Sequence, residues 1–177
     1  MVRPQIDVLI SADDIALRVE ALARDIVTDM PGEILVLVIL KGSFVFAADL
    51  IRALERAGAS AQVDFITLSS YQDGTSSSGT IRVAHDLSED VAGRDVLIVE
   101  DILESGRTLA FAGDYVTRRG ASSMRTCLLL DKPEKRRVPV EADYVGFTIG
   151  PEFVVGYGLD LAHRYRGLPY IGVVRGA

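Results

Sequence analysis

The sequence predicts an α/β protein: a mostly parallel sheet flanked by helices, with a small hood built from the two ends of the chain. Three observations carry this. Extended and helical patterns alternate from residue 34 to residue 130, as they do where crossover helices join parallel strands. The runs at 34–40, 95–99 and 124–130 are nearly continuous apolar stretches, the pattern of strands covered on both faces. The chain has 177 residues, no internal repeat and no linker, which suits one domain over 1–177 with a full hydrophobic core.

Residues 6–10 alternate as a short strand. Ser11-Ala12-Asp13-Asp14 resembles a capping box with an acid where Glu is usual. Ile15, Val19, Leu22 and Ile26 follow at helical spacing, so 12–29 reads as an amphipathic helix that Pro31-Gly32 ends. The buried strand at 34–40 passes through Lys41-Gly42-Ser43 into a helix with Phe44, Ala47, Ala48, Ile51 and Leu54 on its apolar face, stopping at Gly58. Residues 63–68 are extended, and 81–87 return as the second arm of a long hairpin. Between the arms, 69–80 is small, polar and rich in Gly and Ser, the composition of a loop that works as a lid. Residues 95–99 form a buried strand ending in Glu100-Asp101, and 107–119 a helix ending at Gly120. The next buried strand is 124–130, and 131–140 is a charged loop. Residues 144–149, 153–155 and 170–174 are short extended pieces, so the hood is expected from the N-terminal segment and about 150–177.

Composition removes several classes of function. About half of the residues are apolar and 25% are charged, as in a folded protein. The longest apolar run stops at Lys41, too short to span a bilayer, and the N-terminus lacks the pattern of a secretory leader. The lone Cys127 sits in an apolar run and reads as a core thiol; two His and one Cys cannot supply a zinc cage. A cytoplasmic protein with no membrane partner is expected. The net charge of −6 argues against a nucleic-acid partner, yet leaves room for a local basic pocket that takes phosphates.

The chemistry concentrates in residues 96–109, Val-Leu-Ile-Val-Glu-Asp-Ile-Leu-Glu-Ser-Gly-Arg-Thr-Leu. A buried strand delivers two acids to its carboxyl end, where ligands sit in open α/β sheets. A short turn then opens a helix, whose unpaired N–H groups and dipole suit a phosphate. Ser105 and Thr108 can add hydroxyl donors, and Gly106 allows close backbone approach. Acids beside a phosphate cradle make sense for a phosphorylated sugar: carboxylates accept from its hydroxyls while the turn takes its phosphate. No Walker A pattern is present, and Gly156-Tyr157-Gly158 lacks the third glycine of a dinucleotide fingerprint.

Segment 96–109 resembles the phosphoribosyl-pyrophosphate signature of type I phosphoribosyltransferases. Other segments resemble the hypoxanthine (hypoxanthine-guanine) branch of that family. They are Leu40-Lys41-Gly42, Leu68-Ser69-Ser70-Tyr71 with Gly79-Thr80, Leu130-Asp131-Lys132-Pro133, Phe153-Val154-Val155-Gly156-Tyr157-Gly158-Leu159-Asp160 and Arg164-Tyr165-Arg166-Gly167-Leu168-Pro169-Tyr170. They run in family order over almost the whole chain.

The resemblance implies purine salvage. Hypoxanthine, and guanine, would react with 5-phosphoribosyl 1-pyrophosphate and Mg2+ to give IMP, and GMP, with release of pyrophosphate. It also implies roles. Lys41 and Gly42 would face the pyrophosphate, with Leu40–Lys41 able to be a cis peptide. Glu100 and Asp101 would hold the ribose hydroxyls directly or through magnesium, and Asp160 would help hold a metal ion. Glu104, Ser105, Gly106, Arg107 and Thr108 would bind the 5′-phosphate. Lys132 would reach the purine 6-oxo group, Phe153 would stack on the ring, and Val154 with the Asp160 region would read its other edge. Arg166 would neutralise the departing pyrophosphate, and Ser70-Tyr71 would belong to the lid. Homodimers or homotetramers are implied.

Read without the family, Phe153 is core packing, and Lys132 and Arg166 are solvated charges; with it, Lys135, Arg136 and Arg137 still read as solvated charges, and His85 and His163 as structural or surface residues. Three positions depart from the family. Glu104 stands where an Asp acts as general base or partner of the purine N7; Gly150 replaces a usual Pro, and Leu161 a frequent aromatic. Alternatives remain: a xanthine- or guanine-preferring transferase, or a non-catalytic regulator of the same fold that senses the sugar pyrophosphate or nucleotides. A purely structural α/β protein would leave the acids, turn and lid unexplained.

Overall fold

A computed structural model of the chain describes residues 4–71 and 80–175. The elements are β1 (Ile6–Ile10), α1 (Ala12–Asp29), β2 (Glu33–Leu40), α2 (Phe44–Arg56), β3 (Ser60–Tyr71) and β4 (Thr80–His85), followed by β5 (Asp95–Leu103), α3 (Arg107–Arg118), β6 (Ser123–Asp131), a 3-10 turn (Pro133–Lys135), β7 (Tyr144–Thr148), β8 (Val154–Val155) and β9 (Ile171–Val174). One half of the expected capping box forms, and the Asp14 carboxylate meets the Ser11 hydroxyl instead of the Ser11 amide. Ser11 Oγ accepts the Asp14 amide at 3.1 Å and donates to the Asp14 carboxylate at 2.5 Å.

Six strands form one sheet in the order β4-β3-β2-β5-β6-β7. All neighbours are parallel except the β3–β4 hairpin. The apolar runs of β2, β5 and β6 lie at its centre, where Leu35 to Val38, Val96 to Val99 and Cys127 to Leu130 are fully buried. One face packs with α1 and α2 around Leu22, Phe46 and Leu50. The other packs with α3 around Leu109, Ala112 and Val116. Each such Leu, Ile or Val contributes roughly 1.5–3 kcal/mol by leaving water. Cys127 is a buried free thiol within the first cluster, as expected.

The ends of the chain meet in a separate antiparallel sheet ordered β1-β9-β8, with Ile6 opposite Val174 and Val154 opposite Val173. This is the hood. No helix among the described residues is long and apolar enough to cross a membrane.

Two boundaries differ from the sequence patterns in ways that matter for the site. β5 does not end at Glu100-Asp101 but continues to Leu103, because β6 stays alongside: Ile102 pairs with Leu130 and Leu103 with Asp131. The hairpin is longer than 63–68 and 81–87 suggest at its tip, since β3 runs to Tyr71 and pairs with Thr80. Antiparallel pairing satisfies the backbone whatever the side-chain polarity, so Ser69, Ser70, Tyr71 and Thr80 are strand rather than loop. The remainder of the expected lid, 72–79, lies outside the described residues.

Candidate active site

From β2 the chain crosses through α2 to β3 on one side, and from β5 through α3 to β6 on the other. The winding therefore reverses between β2 and β5, and the carboxyl ends of those strands border the crevice where such sheets bind ligands. Lys41-Gly42 follows β2, Glu100 to Glu104 close β5, and Lys132 follows β6. The chain's only lysines are Lys41, Lys132 and Lys135, so all three lie at this edge.

A cavity of about 250 Å3 is lined by Glu100 to Gly106, Thr108 and Leu109. Gly106 starts α3 with φ +84°, a left-handed conformation that costs a residue with a Cβ about 1–2 kcal/mol. The Arg107 amide donates to Ser105 Oγ at 3.4 Å. The Arg107 side chain is exposed and does not line the cavity, so that residue offers its backbone alone.

Glu100 is buried, and its Oε2 has no hydrogen-bond partner among the described residues. Burial, then the neighbouring Asp101 charge, pushes the Glu100 carboxyl up to about 8 against the pull of Arg136. Burial pushes Asp101 up to about 6 against its own amide, the Ile102 amide and Arg166. An orphaned carboxylate oxygen in a dry site costs free energy until a donor or cation arrives, so this pair suits sugar hydroxyls or a hard cation. No group of three His, Cys, Asp or Glu among the described residues could hold a metal by itself. That fits magnesium, which keeps waters and substrate oxygens in its shell and takes few carboxylates.

A pH dependence follows. Both groups hold a proton more tightly folded than unfolded. The Glu100 contribution is present below 4.5 and lost as pH rises through about 8, and that of Asp101 is present below 3.8 and lost as pH rises through about 6. Urea midpoints of the ligand-free protein should fall between pH 5 and pH 8, and Glu100→Gln should flatten the slope. Midpoints that rise across this window would contradict the assignment.

Lys132 is 2% exposed. Its Nζ donates to Glu104 Oε1 at 2.8 Å and to the Glu152 carbonyl at 2.8 Å, while its amide donates to the Leu103 carbonyl at 3.0 Å. Lys135 Nζ stands 3.7 Å from the same Glu104 oxygen. Partial burial works to raise the Glu104 carboxyl, but the Lys132 bond and charge, helped by Lys135, hold it below the usual carboxylate range. Next to Glu152, the Phe153 ring is exposed; Val154 is buried in the hood sheet.

From the hood, Arg166 donates to the Gly158 carbonyl at 2.6 Å and pairs with Asp160 at 2.6 Å. Asp160 also accepts the His163 amide at 2.7 Å. Four residues here that are not glycine, Tyr157, Ala162, His163 and Tyr165, have positive φ, and such conformations cluster at functional sites. Lys41 is exposed, and the Leu40–Lys41 peptide is cis. Gly42 lies against Asp101 so closely that a Cβ would fall 1.6 Å from its Oδ2.

The fold thus brings Lys41, Gly42, Glu100, Asp101, Glu104 to Thr108 and Lys132 to one sheet edge, with Asp160 and Arg166 joined to each other in the hood above Gly158. The Ser70 and Tyr71 side chains lie outside the described residues. Lys132 and Arg166 are not the solvated charges their types suggest in isolation. Arg136 also departs from its expected state. It bonds the Glu104 and Val140 carbonyls and the Asp131 carboxylate, because the charged loop folds back on the turn before α3. Lys135 is exposed but engaged with Glu104, whereas the Arg137, His85 and His163 side chains are exposed.

Acids on one wall and a helix start on the other suit a ligand that carries both hydroxyls and a phosphate. Residues 9–161 match the family described as the phosphoribosyl transferase domain. The chain is 44% identical over 172 residues to the hypoxanthine phosphoribosyltransferase of Escherichia coli K12, covering 96% of this chain and 95% of that protein. It is 48% identical over 169 residues to the bifunctional protein TilS/HprT of Listeria monocytogenes; the match takes 95% of this chain but spans only 26% of that protein. A crystal structure of a hypoxanthine-guanine phosphoribosyltransferase from Bacillus anthracis superposes with a TM-score of 0.90 at 43% identity, covering 97% of this chain and 99% of that one. The chain belongs to the phosphoribosyltransferase family, in its hypoxanthine and hypoxanthine-guanine branch.

Proposed function

We propose that this chain is a purine-salvage enzyme, forming IMP from hypoxanthine, and GMP from guanine, with 5-phosphoribosyl 1-pyrophosphate and releasing pyrophosphate. The observation that carries this is the pairing of buried Lys132 with half-exposed Glu104 beside the phosphate cavity. An ammonium donor next to a carboxylate acceptor complements a 6-oxo group next to an N7–H, and adenine offers no 6-oxo group.

In this assignment Ser105, Gly106, Thr108 and the Arg107 amide hold the 5′-phosphate, and Glu100 and Asp101 accept from the ribose hydroxyls. Phe153 covers the base and the Val154 region reads its far edge. As the bond from the anomeric carbon to pyrophosphate breaks, negative charge gathers on the leaving group and positive charge on the sugar ring. Lys41, the Gly42 backbone and Arg166 meet the first of these, which is where preorganised donors contribute most. Magnesium would supply further charge neutralisation, with substrate oxygens and waters completing a shell for which Glu100, Asp101 and Asp160 do not by themselves form a cage. Glu104, kept ionised by its lysines, accepts from N7–H as the base bonds through N9. Residues 1–177 work as one unit, with the segment that joins β3 to β4 as the lid that excludes water. A cytoplasmic homodimer or homotetramer is the form proposed, from the family resemblance.

The test is turnover of hypoxanthine, guanine, xanthine and adenine with the sugar pyrophosphate and magnesium. Inosine monophosphate should form fastest or alongside guanosine monophosphate. Fastest turnover of xanthine would select that alternative, and tight binding without turnover would select the regulator. Glu104→Asp should keep or raise activity, whereas Glu104→Gln should lower it by about tenfold, the scale of one charge-assisted hydrogen bond. A Gln variant with wild-type rates would remove Glu104 from the chemistry.

A further inference from the structure

We propose that Arg136 is a positioning residue for this site: without touching substrate, it aims the backbone amides of the phosphate turn. Its guanidinium reaches three separate segments. Nε donates to the Glu104 carbonyl at 3.2 Å, Nη1 to the Val140 carbonyl at 2.7 Å, and Nη2 to the carboxylate of Asp131, the last residue of β6. The side chain is 18% exposed. The residues that follow extend the same clamp, since the Arg137 and Val138 amides both donate to the Ser105 carbonyl at 3.0 Å. A Cβ on Gly106 would lie 2.6 Å from Val140 Cγ1 and 3.1 Å from Arg136 Cδ, so this loop is packed directly behind the turn.

The consequence comes from peptide geometry. In a planar trans peptide the C=O and the following N–H point in opposite directions. Holding the Glu104 and Ser105 carbonyls back against Arg136 and its loop therefore turns the Ser105 and Gly106 amides the other way. Those residues line the cavity, and Arg136 does not. The amides that would meet the 5′-phosphate are thus set from behind. The Asp131 contact anchors this clamp to the end of β6.

The identity of the ligand rests on the function proposed above; the clamp does not. The experiment is calorimetric titration of 5-phosphoribosyl 1-pyrophosphate with magnesium into wild type, Arg136→Lys and Arg136→Ala, with steady-state KM values for hypoxanthine beside it. Affinity for the sugar pyrophosphate should fall by about tenfold to a hundredfold in Arg136→Ala, the scale of misplaced binding groups. The KM for hypoxanthine should change by less than about threefold, because Lys132 keeps its own Glu104 and Glu152 partners. Guanidinium ion added to Arg136→Ala should restore part of the affinity, an effect that a general loss of fold would not show. Arg136→Lys keeps the charge without the three-way reach, and should be intermediate; it carries the test if the alanine variant melts. Wild-type affinity in either folded variant, or equal rises in both constants, would overturn the proposal. If the wild type fails to bind the sugar pyrophosphate at all, the functional assignment falls instead. Inorganic phosphate then serves as the probe, and the clamp stands only if Arg136→Ala weakens its binding.

Discussion

Replacing Lys132 with alanine should cut kcat/KM for hypoxanthine by about a hundredfold while leaving the KM for the sugar pyrophosphate within about threefold. Lys132 is enclosed, and its ammonium spends two bonds on Glu104 and the Glu152 carbonyl. An ammonium has three donors, so one remains for an incoming acceptor. Truncation removes that donor and strands the acceptors around it. Bonds to charged groups are worth about 1.5–3 kcal/mol each, or about ten to a hundredfold, and the loss of the Glu104 counter-charge adds to this. The 5′-phosphate turn is held by other groups and should be spared. Discrimination against adenine should shrink in the same variant. Parallel losses for base and sugar would argue that Lys132 is a structural ion pair rather than the group that reads the base.

The second large effect is expected from Gly42→Ala. The added methyl would fall 1.6 Å from Asp101 Oδ2 and 2.6 Å from its Cγ. Neither can yield cheaply, since Asp101 stands on a central strand and Gly42 sits just before the start of α2. Overpacking of this kind costs about 1–3 kcal/mol of stability. Because the atoms displaced belong to the proposed ribose and pyrophosphate sites, activity should fall by about a hundredfold or more, as misplacements of about 1 Å do. Adding Asp101→Ala should recover thermal stability but not turnover. A Gly42→Ala protein with wild-type melting temperature and kcat would show that the contact is not as tight as described.

The fold was legible wherever burial wrote itself into composition. β2, β5 and β6 are covered on both faces, so their sequences cannot alternate, and the apolar runs located β2 and β6 within a residue and the start of β5, though not its end at Leu103. The capped α1 was legible for a similar reason, its box and apolar stripe being local signals. The β3–β4 tip was not, because Ser69, Ser70 and Tyr71 pair through backbone groups that every residue type carries. At the site, Glu100, Asp101 and the turn to Thr108 could be read from one contiguous segment. Lys132, Phe153, Asp160 and Arg166 came from family resemblance, since an isolated charge or ring gives no sign of its surroundings. Arg136 was hidden for a sharper reason. It is one of three consecutive cations, and two of its three acceptors are main-chain carbonyls, which have no letter in a sequence. Left-handed Tyr157, Ala162 and Tyr165 were equally silent, because none is the glycine or asparagine that such backbone favours.

The confinement of every lysine to one rim has a practical corollary. An acylating dye or an activated resin that attacks side-chain amines would meet Lys41 and Lys135, both exposed there, and no lysine elsewhere on the surface. Immobilising the protein through such amines would mount it mouth-down on the support, and the buried Cys127 thiol offers no alternative handle.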